Sequence, residues 1–274
     1  MAKKERIDVL LVERGLIDTR EKAKRSVMAG LVFCNNERVD KPGAKVELDA
    51  ELFVKGDLLP YVSRGGLKLE KAIEEFNFDL TDKIVLDIGS STGGFTDCAL
   101  QNGARLVYAV DVGYNQLAWK LRQDERVVVM ERTNFRYVTK DAFTRGLPNF
   151  ATIDVSFISL RLILPALASV LEKGSYVSAL VKPQFEAGRD EVGKKGIVRD
   201  ERVHRSVLEE IVNFAVSIGF DAYGLSYSPI KGGEGNIEFL LHLHWTGSSE
   251  NGENKISSIN EVVLMAHQKL KQSN

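Results

Sequence analysis

Apolar and polar positions along the chain change their rhythm once, near residue 60. Before that point the runs are short. Ile7, Leu10 and Leu11, with Val9 and Val12 beside them, predict a short helix that Gly15 stops. Asp18 stands three residues before Glu21, a capping-box spacing, and predicts a second helix over Thr19–Ala29 with Gly30 just past its end. Leu31-Val32-Phe33-Cys34, the pair Asn35-Asn36 and Arg38-Val39 predict a β-hairpin, because Asn tolerates the positive φ that tight hairpin turns demand. Val46, Leu48, Leu52, Phe53 and Val54 supply further strand material. Such a module of about sixty residues lies near the lower size limit for independent stability.

Pro60 and then Ser63-Arg64-Gly65-Gly66 mark a boundary, after which strands and helices alternate. Strands are predicted at Ile84–Ile88, Leu106–Val112, Val127–Met130, Ala151–Val155, Tyr176–Val181, Tyr223–Tyr227 and Ile237–Trp245. Helices are predicted at Leu67–Phe76, Thr96–Gln101, Gln116–Arg122, Leu160–Leu171 and Glu201–Ile218. The alternation predicts a parallel sheet with helices on both faces. Ser228 to Asn236 joins the last two strands without a helix, so these two should form an antiparallel hairpin. The tail from Thr246 to Lys255 is polar and Gly/Ser-containing and is expected to be mobile, while Ile256 to Leu270 predicts a terminal helix. The expected organisation is a small α+β module over 1–60, a linker over 61–66, a doubly wound α/β domain over 67–245 and a polar tail over 246–274.

Composition narrows the class. Of the 274 residues, 44% are hydrophobic and 27% charged, which excludes disorder and collagen-like repeats. The longest apolar stretches, Leu162–Leu171 and Ile211–Phe220, are too short to span a bilayer. Met-Ala-Lys-Lys-Glu-Arg is followed by no apolar segment, so no secretory signal is expected. Cys34 and Cys98 stand far apart, against a disulfide scaffold or a Cys-based zinc site. The expected location is cytoplasmic. His204, His242, His244 and His267 show no metal-ligand spacing, so no metal is expected. The net charge of −1 hides an asymmetry: residues 1–72 hold 15 Lys/Arg against 12 Asp/Glu, and the remainder 22 against 26. A basic N-terminal module is a pattern for RNA or DNA contact.

The chemistry begins at Ile84-Val85-Leu86-Asp87-Ile88-Gly89-Ser90-Ser91-Thr92-Gly93-Gly94-Phe95-Thr96, an apolar strand followed by a Gly-rich turn that opens a helix. In a doubly wound sheet that turn lies at the ligand-binding carboxyl edge. It lacks the GxGxxG spacing of a dinucleotide fingerprint. Asp87 at the strand end would repel a pyrophosphate and suit a cationic or amine-bearing ligand. Asp111, ending the second strand, is placed to accept from ribose hydroxyls. Together the two acids point to S-adenosylmethionine, with Gly89, Ser90, Gly93, Gly94, Phe95, Thr96 and Asn134 completing the expected cofactor set. The bland alternative is a plain strand–helix turn with an Asp cap.

A second constellation is dispersed. Asp154 ends the fourth strand, Lys182 ends the fifth, Glu238 opens the last, and Lys68 follows the Ser63-Arg64-Gly65-Gly66 link. Strand ends of one sheet face one crevice, so Asp154 and Lys182 should lie near the Asp87 turn. A Lys between carboxylates can hold a hydroxyl as it loses its proton, or accept that proton if its own pKa is lowered. Taken singly, each of these residues is more often a surface ion pair.

These residues carry a resemblance. Arg6-Ile7-Asp8 through Leu11, then Arg20-Glu21-Lys22-Ala23 to Gly30-Leu31-Val32, resemble the RNA-binding fold named after ribosomal small-subunit protein S-four. VSRGGLKL, DIGSSTGGFTD, VKPQFEAGRD and the His204-centred segment after GIVRD resemble FtsJ-type methyltransferases. The chain to about Trp245 thus resembles the TlyA (hemolysin A) family of ribosomal RNA 2′-O-methyltransferases. The resemblance implies a seven-stranded, Rossmann-like methyltransferase sheet behind a small S-four-like domain, with S-adenosylmethionine as cofactor and ribosomal RNA or ribosomal subunits as partner. It also implies a Lys-Asp-Lys-Glu tetrad falling on Lys68, Asp154, Lys182 and Glu238. Lys182 would activate the ribose 2′-OH, Asp154 and Glu238 would tune it, and Lys68 would help position the substrate. Arg6, Arg20, Lys22, Lys24, Arg25 and Arg64 are the expected RNA contacts, meeting phosphates largely without regard to sequence.

Three other functions compete. A nicotinamide enzyme is disfavoured by the Asp87 turn and the missing fingerprint. A membrane-active cytolysin, which the family's older name evokes, finds no apolar hairpin or strongly amphipathic cationic helix, and no stable membrane association is expected. A non-catalytic RNA-binding assembly factor stays open, as do the oligomeric state and the nucleotide modified.

Overall fold

The computed structural model describes residues 4–55, 59–248 and 250–271, which fall into two compact units, 1–64 and 65–274. The first unit carries β1 (Lys4–Arg6), α1 (Ile7–Glu13), α2 (Arg20–Met28), β2 (Val32–Cys34), β3 (Glu37–Arg38), β4 (Lys45–Glu47) and β5 (Leu52–Val54). β2 pairs antiparallel with both β3 and β5, and β1 pairs with β4. Asn35 and Asn36 both take positive φ in the β2–β3 turn, as a tight hairpin requires. Ile7, Leu10, Leu11, Ile17, Ala23, Val27, Val32 and Leu52 form the core. The cap of α2 is Thr19, whose hydroxyl accepts from the Lys22 N–H at 3.3 Å. Asp18, expected in that role, instead pairs with the Lys22 ammonium at 2.7 Å, because its side chain lies one residue too early for the first turn.

The second unit continues with α3 (Gly66–Phe76), β6 (Ile84–Ile88), α4 (Gly94–Gln101), β7 (Leu106–Val110), α5 (Trp119–Arg122), β8 (Val127–Met130), β9 (Phe150–Ile153), α6 (Leu160–Val170), β10 (Tyr176–Val181), α7 (Pro183–Glu186), α8 (Glu201–Ser217), β11 (Phe220–Tyr227), β12 (Phe239–Trp245) and α9 (Ile259–Lys271). Seven strands form one sheet in the order β11-β12-β10-β9-β6-β7-β8. β8, β7, β6, β9 and β10 run parallel, and β12 is antiparallel to both its neighbours.

Every residue of β6 and β7 is buried, which is why both read as unbroken apolar runs. β12 alternates instead. Phe239, Leu241 and Leu243 join the core shared with α6, α8 and α9, while His242 meets Phe76 and Phe78 at the end of α3. Helices therefore cover both faces.

The segment after β12, expected to be mobile, is tied down. Glu253 N–H donates to Asp221 Oδ1 at 2.8 Å, Gly252 N–H to the Val216 carbonyl at 2.9 Å, and Ala222 exchanges backbone hydrogen bonds with Glu253 and Lys255. These bonds use the segment's backbone groups, which its side-chain polarity does not announce. Among the described residues no helix is long and apolar enough to cross a membrane, and no group of three His, Cys, Asp or Glu side chains could hold a metal ion.

Candidate active site

From β6 the chain moves outward through β7 to β8, then returns to β9 on the other side of β6. Ligands of open α/β sheets bind in the crevice at such a reversal. Gly89 follows β6 there with φ +86°, and a Cβ on it would sit 2.5 Å from the Asp154 carbonyl oxygen. Glycine thus lets the turn after β6 lie directly on the backbone after β9.

Four ionisable residues converge beside it. Asp154 follows β9 and Lys182 follows β10. Glu238 precedes β12, whose Phe239 pairs with Val181, so the antiparallel strand starts at the edge where its parallel neighbours end. Lys68 lies in the first turn of α3. Lys182 Nζ stands 2.5 Å from Asp154 Oδ1 and donates to Ser156 Oγ at 3.0 Å. Lys68 Nζ donates to Glu238 Oε2 at 2.7 Å and reaches Asp154 Oδ2 at 3.5 Å. The result is one chain of alternating charge, Lys182–Asp154–Lys68–Glu238. Lys68 and Lys182 are each 7% exposed and Glu238 is 2% exposed. Burial works against the Asp154 carboxylate, but the Lys68 and Lys182 ammoniums outweigh it and hold its pKa below the usual carboxylate range. Asp154 is therefore ionised at neutral pH. Pairing of every charge is what makes such burial tolerable.

A cavity of about 330 Å³ opens next to Asp154. Its polar lining includes Gly89, Ser91, Asp111, Gln116, Asn134 and Ser156, and its apolar lining Ile88, Val110, Phe135 and Ile163. Asp111 is fixed by two backbone donors, Ser91 N–H to Oδ2 at 2.8 Å and Gly113 N–H to Oδ1 at 2.7 Å. Asn134 Oδ1 accepts from the Arg136 N–H at 3.2 Å.

Asp87 is not in this cavity. It is fully buried inside β6, with Oδ2 accepting from Thr96 Oγ1 at 2.6 Å and Oδ1 from Thr152 Oγ1 at 2.9 Å. Burial pushes its pKa up to about 6 against those hydrogen bonds. The expected negative charge presented to a cationic ligand is corrected accordingly. Asp87 lies within the strand rather than beyond it, and it ties β6 to α4 and β9. Thr96 belongs to that tie. Ser90 is buried, Gly94 and Phe95 are buried in α4, and a Cβ on Gly93 would run into Leu117 and Leu121. These four shape the turn from behind, so Gly89, Asp111 and Asn134 are the expected cofactor residues that line the cavity.

The expected RNA contacts divide as well. Arg6 Nε donates to Asp8 Oδ1 at 2.9 Å and Arg20 Nε to Asp8 Oδ2 at 3.1 Å. Asp8 is fully buried, and its hydrogen bond from Arg6 leads the interactions that hold its pKa low. Arg6 and Arg20 therefore hold the small unit together with part of their donor capacity. Lys22 is engaged by Asp18, Lys24 and Arg25 lie partly exposed on α2, and Arg64 is exposed.

Sequence reasoning missed two residues on the loops beside Asp154 and Lys182. Phe157, three positions after Asp154, is 90% exposed at φ +64°, and its ring centroid stands 4.9 Å from that of Phe185 on α7. A large aromatic held in the left-handed region and in solvent is costly and marks a functional candidate. Glu186 accepts from Ser159 Oγ at 2.6 Å and from Leu160 N–H at 2.8 Å, joining the loop that carries Lys182 to the one that carries Asp154. Burial raises its pKa. Both residues acquire meaning only when their loops meet.

Comparison with known proteins supplies the context. The FtsJ-like methyltransferase family profile matches residues 61–245 and the S4 domain profile residues 5–52. YqxC of Bacillus subtilis, provisionally named an rRNA methyltransferase, is 66% identical over 272 residues, covering 99% of this chain and 97% of that protein. The 16S/23S rRNA (cytidine-2′-O)-methyltransferase TlyA of Mycobacterium tuberculosis is 41% identical over 244 residues, covering 89% of this chain and 91% of its own. A solved Streptococcus thermophilus structure, provisionally described as a hemolysin, is similar with a TM-score of 0.80 at 59% identity, covering 100% of this chain and 99% of that one.

Proposed function

The chain belongs to the TlyA family, its S4 domain followed by an FtsJ-like methyltransferase domain, and on that premise we propose that it methylates a ribose 2′-hydroxyl of ribosomal RNA with S-adenosylmethionine as donor. One observation carries the reading. Asp154 lines the cavity and at the same time holds Lys182, so the pocket for the donor and the group that receives the acceptor hydroxyl share a carboxylate.

The cavity suits the donor. Its volume of about 330 Å³ lies within the range of small-molecule sites. The backbone-fixed Asp111 carboxylate offers acceptors for ribose hydroxyls, and Val110 and Phe135 offer an apolar face for a purine. S-adenosylmethionine supplies a methyl group activated by its sulfonium.

Lys182 holds the acceptor. With one N–H committed to Asp154 and one to Ser156, its ammonium has a third donor for the ribose 2′-oxygen. That donor stabilises the negative charge that develops on the oxygen as its proton departs, and the charge is consumed as the oxygen–carbon bond forms and the sulfur–carbon bond breaks. The hydroxyl proton leaves through the Lys182–Asp154 pair to solvent. Lys68 meets carboxylates on both sides, so its part is to neutralise Asp154 and Glu238 rather than to touch substrate. Most of the rate gain in such a transfer comes from orientation and fixed charge.

Phe157 and Phe185 form an aromatic ledge on the Asp154–Lys182 side, a surface for stacking the base of an unstacked nucleotide. Lys24, Arg25 and Arg64, with the free faces of Arg6, Arg20 and Lys22, supply phosphate contacts. The TlyA relative is named for cytidines, and a cytidine of 16S RNA, 23S RNA or both is the substrate we assign, which places the work in the cytoplasm. Equilibrium dialysis with labelled S-adenosylmethionine, alongside NAD, tests the pocket. Saturable binding of the first alone is expected, and binding of NAD in its place overturns the reading.

A further inference from the structure

We infer that Glu131 is a positioning residue for the methyl donor: a buried carboxylate that sets the loop forming one wall of the cavity. Glu131 follows β8, and its side chain is 8% exposed. Its Oε2 accepts from the Asn115 N–H at 2.8 Å. Its Oε1 accepts from the Gln116 N–H at 3.0 Å and the Leu117 N–H at 3.4 Å. Three consecutive backbone donors thus converge on one anion, and the Arg122 guanidinium, which also donates to the Leu117 carbonyl at 3.1 Å, closes the set.

The convergence has a backbone cause. Asn115 sits at φ +58°, which turns the N–H groups of 115–117 to one side as an anion-binding nest. Burial alone would raise the Glu131 pKa, but the three N–H donors and Arg122 more than offset it, so the group is an anion at neutral pH. Every partner donates and none accepts, so the position calls for a carboxylate.

The loop so held is part of the pocket. Val112 and Gln116 line the cavity, and Gly113 N–H donates to Asp111 Oδ1. On the other side of the same fold, Arg132 N–H donates to the Gly113 carbonyl at 2.9 Å and Thr133 N–H to the Asp111 carbonyl at 2.9 Å. Glu131 itself is not among the lining residues. It acts through residues 111–117, fixing the wall before the donor arrives, and removing it should weaken donor binding while leaving the transfer step intact.

The inference rests on the assignment of this cavity to S-adenosylmethionine, and the test separates the two. Glu131→Gln keeps shape but turns an NH₂ toward backbone donors, whereas Glu131→Asp keeps the charge. Calorimetric titration of the full chain with S-adenosylmethionine is expected to show about a tenfold weaker Kd for Glu131→Gln, about 1.4 kcal/mol, with partial rescue in Glu131→Asp. In methyl-transfer assays KM for the donor should rise in step, while kcat at saturating donor and KM for RNA stay as in the wild type. Wild-type affinity in Glu131→Gln, or a fall in kcat with unchanged KM, overturns the inference. If Glu131→Gln fails to fold, hydrogen exchange on the wild-type chain decides. Without donor, the amides of residues 115–117 should already be protected, and rapid exchange there overturns the inference. A wild type that binds no S-adenosylmethionine but protects these amides would retire the cavity assignment and leave the anchor standing.

Discussion

Lys68 Nζ lies 2.7 Å from Glu238 Oε2, a buried ion pair between residues 170 positions apart in the chain. It joins the first turn of α3 to the entry of β12 and leaves Lys68 within 3.5 Å of Asp154 on its other side. Lys182, by contrast, is a terminal member of the chain of charges. Its removal leaves Asp154 still facing Lys68. Removing Lys68 strands Glu238, which is 2% exposed.

The two lysines should therefore fail differently. Lys182→Met is expected to keep Tm within a few degrees and to lower methyl transfer by about 10²–10⁴-fold, the usual worth of one proton-handling or charge-stabilising group. Lys68→Met is expected to lose about 3–5 kcal/mol of stability as well, because an uncompensated carboxylate remains in the interior. Pairing it with Glu238→Gln should recover much of that loss. Thermal melts and single-turnover rates on the four proteins check the ordering, and equal destabilisation by Lys182→Met and Lys68→Met would contradict it.

Phe157 trades stability for a surface. Its φ of +64° suits glycine, and its ring is 90% exposed. Phe157→Gly is expected to melt no lower than the wild type, with a gain of up to about 1 kcal/mol from relieved strain. It should nevertheless raise KM for RNA by about tenfold, since base–aromatic stacking contributes about 1–3 kcal/mol. Unchanged KM for RNA would remove the ledge from the substrate site.

Asp87 makes a prediction about pH. Its pKa in the folded chain is raised to about 6 from an ordinary value of 3.8, chiefly by burial. A raised carboxyl favours the folded state most below its unfolded value and loses that contribution as pH climbs through 6. Between pH 4 and 6 this one group should change unfolding free energy by about 2–3 kcal/mol, with the more acidic end favoured. His204 and His242 have the opposite sign. Burial lowers both to about 4, so their contribution is lost as pH falls from 6.5 through 4. Comparing denaturant melts of the wild type and Asp87→Asn across this range isolates the Asp87 component as a difference between the two curves. A pH-independent difference would contradict it.

In the S4 domain, fold and binding can be separated. Lys24→Ala or Arg25→Ala should weaken RNA binding and reduce the slope of log affinity against log salt by about 0.7–0.9 for each phosphate no longer neutralised, with Tm unchanged. Arg6→Ala with Arg20→Ala should also lower Tm, because both hold the buried Asp8. The half-exposed guanidiniums limit that effect to about 1–2 kcal/mol. Filter binding at several salt concentrations and melts of the same proteins check both.

The strands were legible where burial on both faces makes the apolar run continuous. Ile84–Ile88 and Tyr176–Val181 have the bounds expected from the residues alone, and so does the half-buried edge strand Val127–Met130, whose run is apolar throughout. Asp154, Lys182 and Glu238 were legible because each directly adjoins such a run, and the topology brings the three ends to one edge. Asp87 misled because a carboxylate near a strand end looks the same whether it faces the crevice or two threonines beneath it. Glu131, Glu186 and Phe157 were illegible for a related reason. Their partners, the amides of 115–117, Ser159 with Leu160, and the Phe185 ring, lie on other loops, and nothing in local spacing announces the meeting. Polarity in the segment after β12 read as freedom, when the segment's backbone amides and carbonyl bond Asp221 and Ala222 whatever side chains it carries.

The most direct measurement is transfer of a labelled methyl group from S-adenosylmethionine to purified 30S and 50S subunits and to free ribosomal RNA, with the wild type beside Lys182→Ala. Label in RNA from the wild type, resistant to alkaline cleavage at a discrete cytidine and lost in Lys182→Ala with donor binding retained, is the expected result. Label that is alkali-sensitive or lies on a base, or equal labelling by Lys182→Ala, would contradict the assignment of a ribose 2′-hydroxyl held by Lys182.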